Sequence, residues 1–248
     1  MFFLVPVIRY FYGVIQFHKR KIKMKFFTNV SSKSLTTSNT VLLLLVIFTI
    51  FLIPFFPIAW HRDLFSFFFT LIFLLSALAI KKNRLRIFTI AMSVVIIEWL
   101  STLLKLSILS TVSFLANICF FDLIAVIFIL QIARAKTVTP QVILESVSGY
   151  LLLGLSFAII LALITFIDPS SFSFPHLKEP LVEEVSYLSS FIYYSFVALT
   201  TLGYGDVIPL TPAAKSFSIF TAITGQMYIA IIIASLVSKY LSQKSPNN

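Results

Sequence analysis

The sequence predicts an all-α membrane protein with six transmembrane helices, plus a short re-entrant helix and a glycine-containing loop between the fifth and sixth. Three observations predict it. The 248 residues are 59% hydrophobic, with a mean hydropathy of +1.01 and only 11% charged, where soluble domains carry about 25% charge. Six apolar runs each approach the ~20 residues that cross a bilayer core. A seventh, Val185–Thr200, is too short to cross and runs into Gly203-Tyr204-Gly205.

This composition excludes a soluble enzyme, a disordered tail and a fibrous protein. Cys119, flanked by Ile118 and Phe120, leaves no disulfide framework and no thiolate metal site. A net charge of +10 would suggest nucleic acid in a soluble chain. Here its distribution by side matters more, and no nucleic-acid partner is expected.

Residues 1–40 read as a cytoplasmic N-terminal segment. Met1–Phe17 is apolar and aromatic, interrupted by Arg9 and followed by His18-Lys19-Arg20-Lys21. A secretory signal puts its positive charges first, and here they come last. Either this stretch is an interfacial helix or translation starts at Met24. Ser31–Thr40 is a Ser/Thr-rich linker.

Four spans follow in residues 41–136: Val41–Trp60, Leu64–Ile80, Ile87–Leu106 and Ser113–Ala133. The first two are joined by a short outer turn at His61-Arg62-Asp63. Thr139-Pro140 is a helix start, Thr as N-cap and Pro at the first helical position. It opens a linker helix in 137–148, with Gln141–Ser148 as its body. Residues 149–238 hold span five, Gly149–Ile167, the short helix, and span six, Ala213–Val237, which Thr211-Pro212 starts. Residues 239–248 form a short cytoplasmic tail, too small for a regulatory ligand domain.

Charge orients the array. Lys19 to Lys33, then Lys81, Lys82, Arg84 and Arg86, then Arg134 and Lys136, then Lys239 and Lys244 all fall on one side if there are six crossings. The positive-inside rule makes that side the cytoplasm, so both termini are expected inside a multi-pass protein of the plasma (inner) membrane. The outer segment between spans five and six carries Asp168, Glu179, Glu183, Glu184 and Asp206 against Lys178. It is either an ordinary solvated loop or a vestibule that concentrates cations.

The short helix leads into Thr200-Thr201-Leu202-Gly203-Tyr204-Gly205-Asp206, with Pro209 three residues on. This stretch resembles the signature sequence of potassium channels, in which a Thr-x-Gly-Tyr-Gly loop makes the selectivity filter. The resemblance covers Gly149–Val237. It departs at Leu202, where valine is usual, and at Val197, where some members carry a glutamate.

The resemblance implies a potassium-selective channel, not an enzyme, with one filter segment per chain and therefore a homotetramer in the lipid bilayer. A narrow pore must replace the hydration oxygens of K⁺, and backbone carbonyls can do so if successive ones face inward. The implied K⁺ ligands are the carbonyls of Thr201, Leu202, Gly203 and Tyr204, plus the Thr201 hydroxyl, with Gly205 completing the loop. Gly203 and Gly205 supply conformations that a Cβ resists. Thr200, Asp206, Tyr193 and Tyr194 are the expected support and outer mouth, Tyr204 packing against the two tyrosines. The short helix would direct the negative end of its dipole at the cavity below. Gly225, mid-way along span six, is either a gating hinge or a packing glycine. No cofactor is implied beyond the permeant ion. Two alternatives remain open: a non-selective cation channel of the same fold, and a non-conducting membrane subunit of a channel complex.

Six spans with the filter between the last two is the plan of voltage-gated cation channels, whose fourth span carries an arginine at every third position. Span four here has only Arg134 at its inner end, and an acid, Asp122. Steep gating takes about 3–4 charges per subunit. The first four spans therefore read as a sensor-like bundle without the sensor charge. Glu98, Asp122 and Lys105 are the ionisable residues within the bundle, and the two acids are either structural or sensing. His18, His61 and His176 are scattered, and no catalytic constellation exists. His61 and His176 read as ordinary loop residues.

Overall fold

A computed structural model describes residues 32–80, 84–104, 107–135, 137–174 and 184–244, and from Lys33 onward the chain forms one compact unit, Lys33–Asn248. Seven α-helices occur among the described residues: α1 (Ser32–Ile47), α2 (Ile58–Ala79), α3 (Arg84–Leu103), α4 (Ser107–Ala133), α5 (Pro140–Ile167), α6 (Glu184–Leu199) and α7 (Pro212–Lys244). One antiparallel pair of two-residue strands, β1 (Phe172–Ser173) and β2 (Ile208–Pro209), is the sheet among these residues. Residues 1–31, Lys105, Lys136, His176 and the side chain of Glu98 lie outside the described residues.

Four helical stretches are long and apolar enough to cross a membrane: Ser38–Phe55, Ala59–Ala79, Pro140–Ile167 and Pro212–Ser242. Helices α3 and α4 have 20 and 27 residues. At ~1.5 Å per residue these reach about 30 and 40 Å, and α4 includes the apolar stretch Ile118–Ala133.

The first expected span ends early. Its helix loosens to a π-helical turn at Phe48–Leu52, then a 3-10 turn at Ile53–Phe55. Pro54 has no N–H to give to the previous turn, so the ladder re-spaces around it. Pro57 then stands as the residue before α2. The connection therefore lies at Phe56-Pro57, and Trp60, His61, Arg62 and Asp63 belong to the start of α2 instead of a loop. His61 is buried, with Nε2 at 2.8 Å from the Phe56 carbonyl oxygen.

The expected linker helix is the first part of α5, which runs unbroken from Pro140 to Ile167. Nothing in Gln141–Ser148 breaks a helix. Ser146 and Ser148 donate back to Val142 O at 2.8 Å and Leu144 O at 3.0 Å. Thr139 caps the start as expected, accepting from Val142 N at 3.4 Å. Likewise α7 passes the expected end at Val237 and continues through Lys239 to Lys244.

Helix α4 packs on α5 and on α2, where Phe121 meets Phe69 and Phe73 at 6.4 Å. Asp122 of α4 faces Ser156 of α5. At the other end, Asn39 of α1 donates to Glu145 of α5 at 2.7 Å, and Gln141 donates to the same oxygen at 3.0 Å. Asn39 and Glu145 are both fully buried.

Candidate functional site

The short helix α6 is wedged between α5 and α7. Ser195 Oγ donates to the Gly154 carbonyl of α5 at 2.6 Å. The absence of a Cβ at Gly154 admits the Phe196 ring, which a side chain there would strike. On the other flank, Tyr194 donates to Ser218 Oγ of α7 at 2.8 Å, and its ring lies edge-on to Phe172 at 5.4 Å. Tyr194 thus clamps α6 to α7.

The loop leaves α6 through its own last turn. Thr200 N donates to Phe196 O and Thr201 N to Ala198 O, each at 3.0 Å, and Leu202 N donates to Val197 O at 2.9 Å. The backbone then turns left-handed at every second residue: φ is +61° at Thr201, +59° at Gly203 and +79° at Gly205. A Cβ built on either glycine would meet nothing within 4 Å in this chain. Conformation and not space requires glycine there. Thr201 adopts the same region with a β-branched side chain, an arrangement that costs roughly 1–2 kcal/mol. The sequence expectation covered the conformation of the two glycines but not that of Thr201, because threonine carries no propensity signal for positive φ.

The outer end is tied down twice. Tyr193 of α6 donates to Asp206 Oδ2 at 2.6 Å, and Asp206 Oδ1 accepts from Val207 N at 3.1 Å. The Asp206 carboxylate favours the neutral phenol and pushes Tyr193 up to about 12. The chain beyond the loop pairs with the segment after α5: Phe172 opposite Pro209, Ser173 opposite Ile208, and Leu210 N donating to Ser171 O at 2.8 Å. Two residues per strand are too few to show an alternating pattern in sequence. Leu202 and Tyr204 stand out from the single chain, 58% and 67% exposed.

The inner end meets α7. Gly225 lies against the last turn of α6, where a Cβ would overlap the Leu199 carbonyl. That close approach gives this glycine a packing reason. The next residue, Gln226, donates Nε2 to Thr201 Oγ1 at 3.4 Å. Further along, Tyr228 donates to Ser146 O of α5 at 2.7 Å. Sequence reasoning passed over Gln226, Tyr228 and Glu145. A single amide in the apolar run Ile223–Ile233 was the available signal for Gln226.

The sequence profile of the ion channel family matches residues 150–242, from within α5 through the loop and into the end of α7. Two curated relatives are similar to part of the chain. The two pore potassium channel c of Oryza sativa is 44% identical over 50 residues, 20% of this chain and 11% of that one. The A-type voltage-gated potassium channel KCND3 of Rattus norvegicus is 31% identical over 92 residues, 37% of this chain and 13% of that one. Residues 150–242 match the ion channel family, and the chain is similar to potassium channels.

The match to an ion channel family and the four long apolar helices make this an integral membrane protein. This chain spans only 11% to 13% of the length of these relatives. No solved structure matches it significantly. Among the described residues no group of three or more His, Cys, Asp or Glu is placed to hold a metal ion. The expected filter residues Thr201 to Gly205, with the expected supports Thr200 and Asp206 on either side, form one continuous loop, with Tyr193 bonded at one end and Gly225 close to the other.

Proposed function

We propose that this chain is the subunit of a homotetrameric potassium-selective channel of the plasma (inner) membrane. The observation that carries the reading is the alternation of left-handed residues at Thr201, Gly203 and Gly205. Alternating backbone handedness is a way for successive carbonyls to face one direction, as ion dehydration demands. Four residues from Thr201 to Tyr204 span at most about 13 Å at ~3.3 Å each, room for several ions in file. One loop per chain supplies one quarter of a closed ring, so four copies complete it. The exposed faces of Leu202 and Tyr204 suit burial against neighbouring copies.

In this reading all six apolar helices cross, both termini are cytoplasmic, and α6 dips in and returns. The C-terminal end of α6 contributes about half a negative charge near the cavity. That offsets part of the cost of a cation at mid-membrane. The one arginine of α4, Arg134, sits in the turn after the helix and is exposed. It supports a bundle without steep voltage gating.

Liposome flux tests the proposal. The purified chain should pass K⁺ and Rb⁺ and reject Na⁺, as a tetramer. Equal Na⁺ and K⁺ permeability would turn the reading to a non-selective cation channel. No flux from a correctly assembled tetramer would turn it to a non-conducting subunit.

A further inference from the structure

Gln226 is unlike its neighbours. It interrupts an apolar helix one residue after Gly225, and its amide reaches the first left-handed residue of the loop. The contact follows from the backbone. Gly225 lets α7 touch the Leu199 carbonyl at the end of α6, so the next side chain arrives at the level of Thr201. Thr224, two residues before Gln226, has its hydroxyl committed to its own helix at Phe220 O, 2.7 Å away.

The hydrogen bonds at Thr201 run in one direction. Its Oγ1 donates to Thr200 O at 2.6 Å, which uses the only hydroxyl proton. Its oxygen then accepts from Gln226 Nε2 at 3.4 Å. A hydroxyl oxygen has two lone pairs, so one is left. A cation needs that lone pair, not the proton. Thr201 is also strained, β-branched at φ +61°, and strain of that kind persists only where surroundings hold it.

We infer that Gln226 is a positioning residue for the innermost ion site, holding the Thr201 hydroxyl with its proton turned away and its free lone pair available to the permeating cation. The inference rests on the potassium-channel reading. It assigns inner-site cation specificity to the amide of α7 as well as to the filter loop. Gln226 acts through Thr201 and is not itself an ion ligand.

The test uses the full chain in detergent and in liposomes. Gln226→Met keeps length and bulk but has no donor, and Gln226→Asn keeps the amide but is one methylene too short. Thr224→Val is the control for packing on α7. Potassium affinity is measured by calorimetric titration with K⁺ alone, the K⁺/Na⁺ permeability ratio by flux, and assembly by sizing. Losing one hydrogen bond per subunit changes an equilibrium by roughly twofold to tenfold. Both Gln226 variants should assemble as wild type, with K⁺ affinity and permeability ratio each lowered at least threefold, and Thr224→Val should match wild type. A Gln226→Met or Gln226→Asn tetramer within twofold of wild type on both readouts overturns the inference while leaving the channel intact. If one variant fails to assemble, the other decides on the same criteria. A wild-type tetramer that passes no K⁺ overturns the channel reading, and this inference with it.

Discussion

Tyr193 and Asp206, thirteen residues apart, are joined by a hydrogen bond of 2.6 Å that ties the body of α6 to the residue closing the loop. With the Asp206 Oδ1 bond to Val207 N, it fixes the far end of the loop. Between Thr201 and Gly205 the backbone turns left-handed three times and projects its larger side chains out of the chain. The loop is therefore shaped from its ends.

Tyr193→Phe removes the donor and leaves the ring. Hydrogen bonds to charged groups contribute about 1.5–3 kcal/mol, so the outer end should loosen. K⁺ flux in liposomes should decay faster than in wild type, with assembly unchanged. The Asp206 carboxylate holds the Tyr193 phenol protonated well above neutrality. This pair should add no pH dependence near neutrality. A Tyr193→Phe time course that overlays wild type would show the bond to be idle.

Gly203→Ala introduces a Cβ that meets no other atom within 4 Å of the same chain. Its cost is conformational, roughly 1–2 kcal/mol per copy at positive φ, incurred in each copy of the ring. Assembly should survive and K⁺ flux should fall below detection. Normal conduction from this variant would remove the loop from the conduction path.

Gly225→Ala separates packing from hinging. A Cβ there overlaps the Leu199 carbonyl, and overpacking of this type costs typically about 1–3 kcal/mol. The variant should lose thermal stability in detergent, and the loss should appear without any gating stimulus. If stability is unchanged and only opening kinetics shift, Gly225 is a hinge.

Asn39→Ala deletes one of the donors to buried Glu145, across 106 residues of sequence. Removing a partner from a buried carboxyl costs about 1.5–3 kcal/mol. Denaturant titration in mixed micelles should show that loss. The double variant Asn39→Leu/Glu145→Leu should recover a part of it, because the buried carboxyl is removed together with its Asn39 donor. A double variant less stable than the sum of its singles would contradict this account.

Voltage is the fifth expectation. Arg134 lies in the turn after α4, and a charge outside the field contributes little when the field changes. Conductance recorded in symmetric K⁺ should follow the gradient with little steepness. A sigmoidal curve worth several charges, flattened by Arg134→Gln, would restore a voltage sensor.

The sequence by itself determined the chemistry of the solvent and the signature of the site. Apolar runs of bilayer length and the order short helix, Thr-Leu-Gly-Tyr-Gly, long helix are local properties, legible residue by residue. So were the caps at Thr139 and Thr211, whose hydroxyls accept from Val142 N and Ala214 N, each at 3.4 Å. Helix boundaries were less legible. Pro54 and Pro57 moved the first connection back to Phe56-Pro57, and an unbroken ladder fused the expected linker into α5. Tertiary structure alone decided which side chains meet. The Asn39–Glu145, Tyr228–Ser146 and Gln226–Thr201 contacts join residues 106, 82 and 25 positions apart. No local period encodes such pairs, because they depend on the angle and depth at which helices pack. That depth is set at Gly225 by a missing Cβ against the Leu199 carbonyl, and from there Gln226 reaches Thr201.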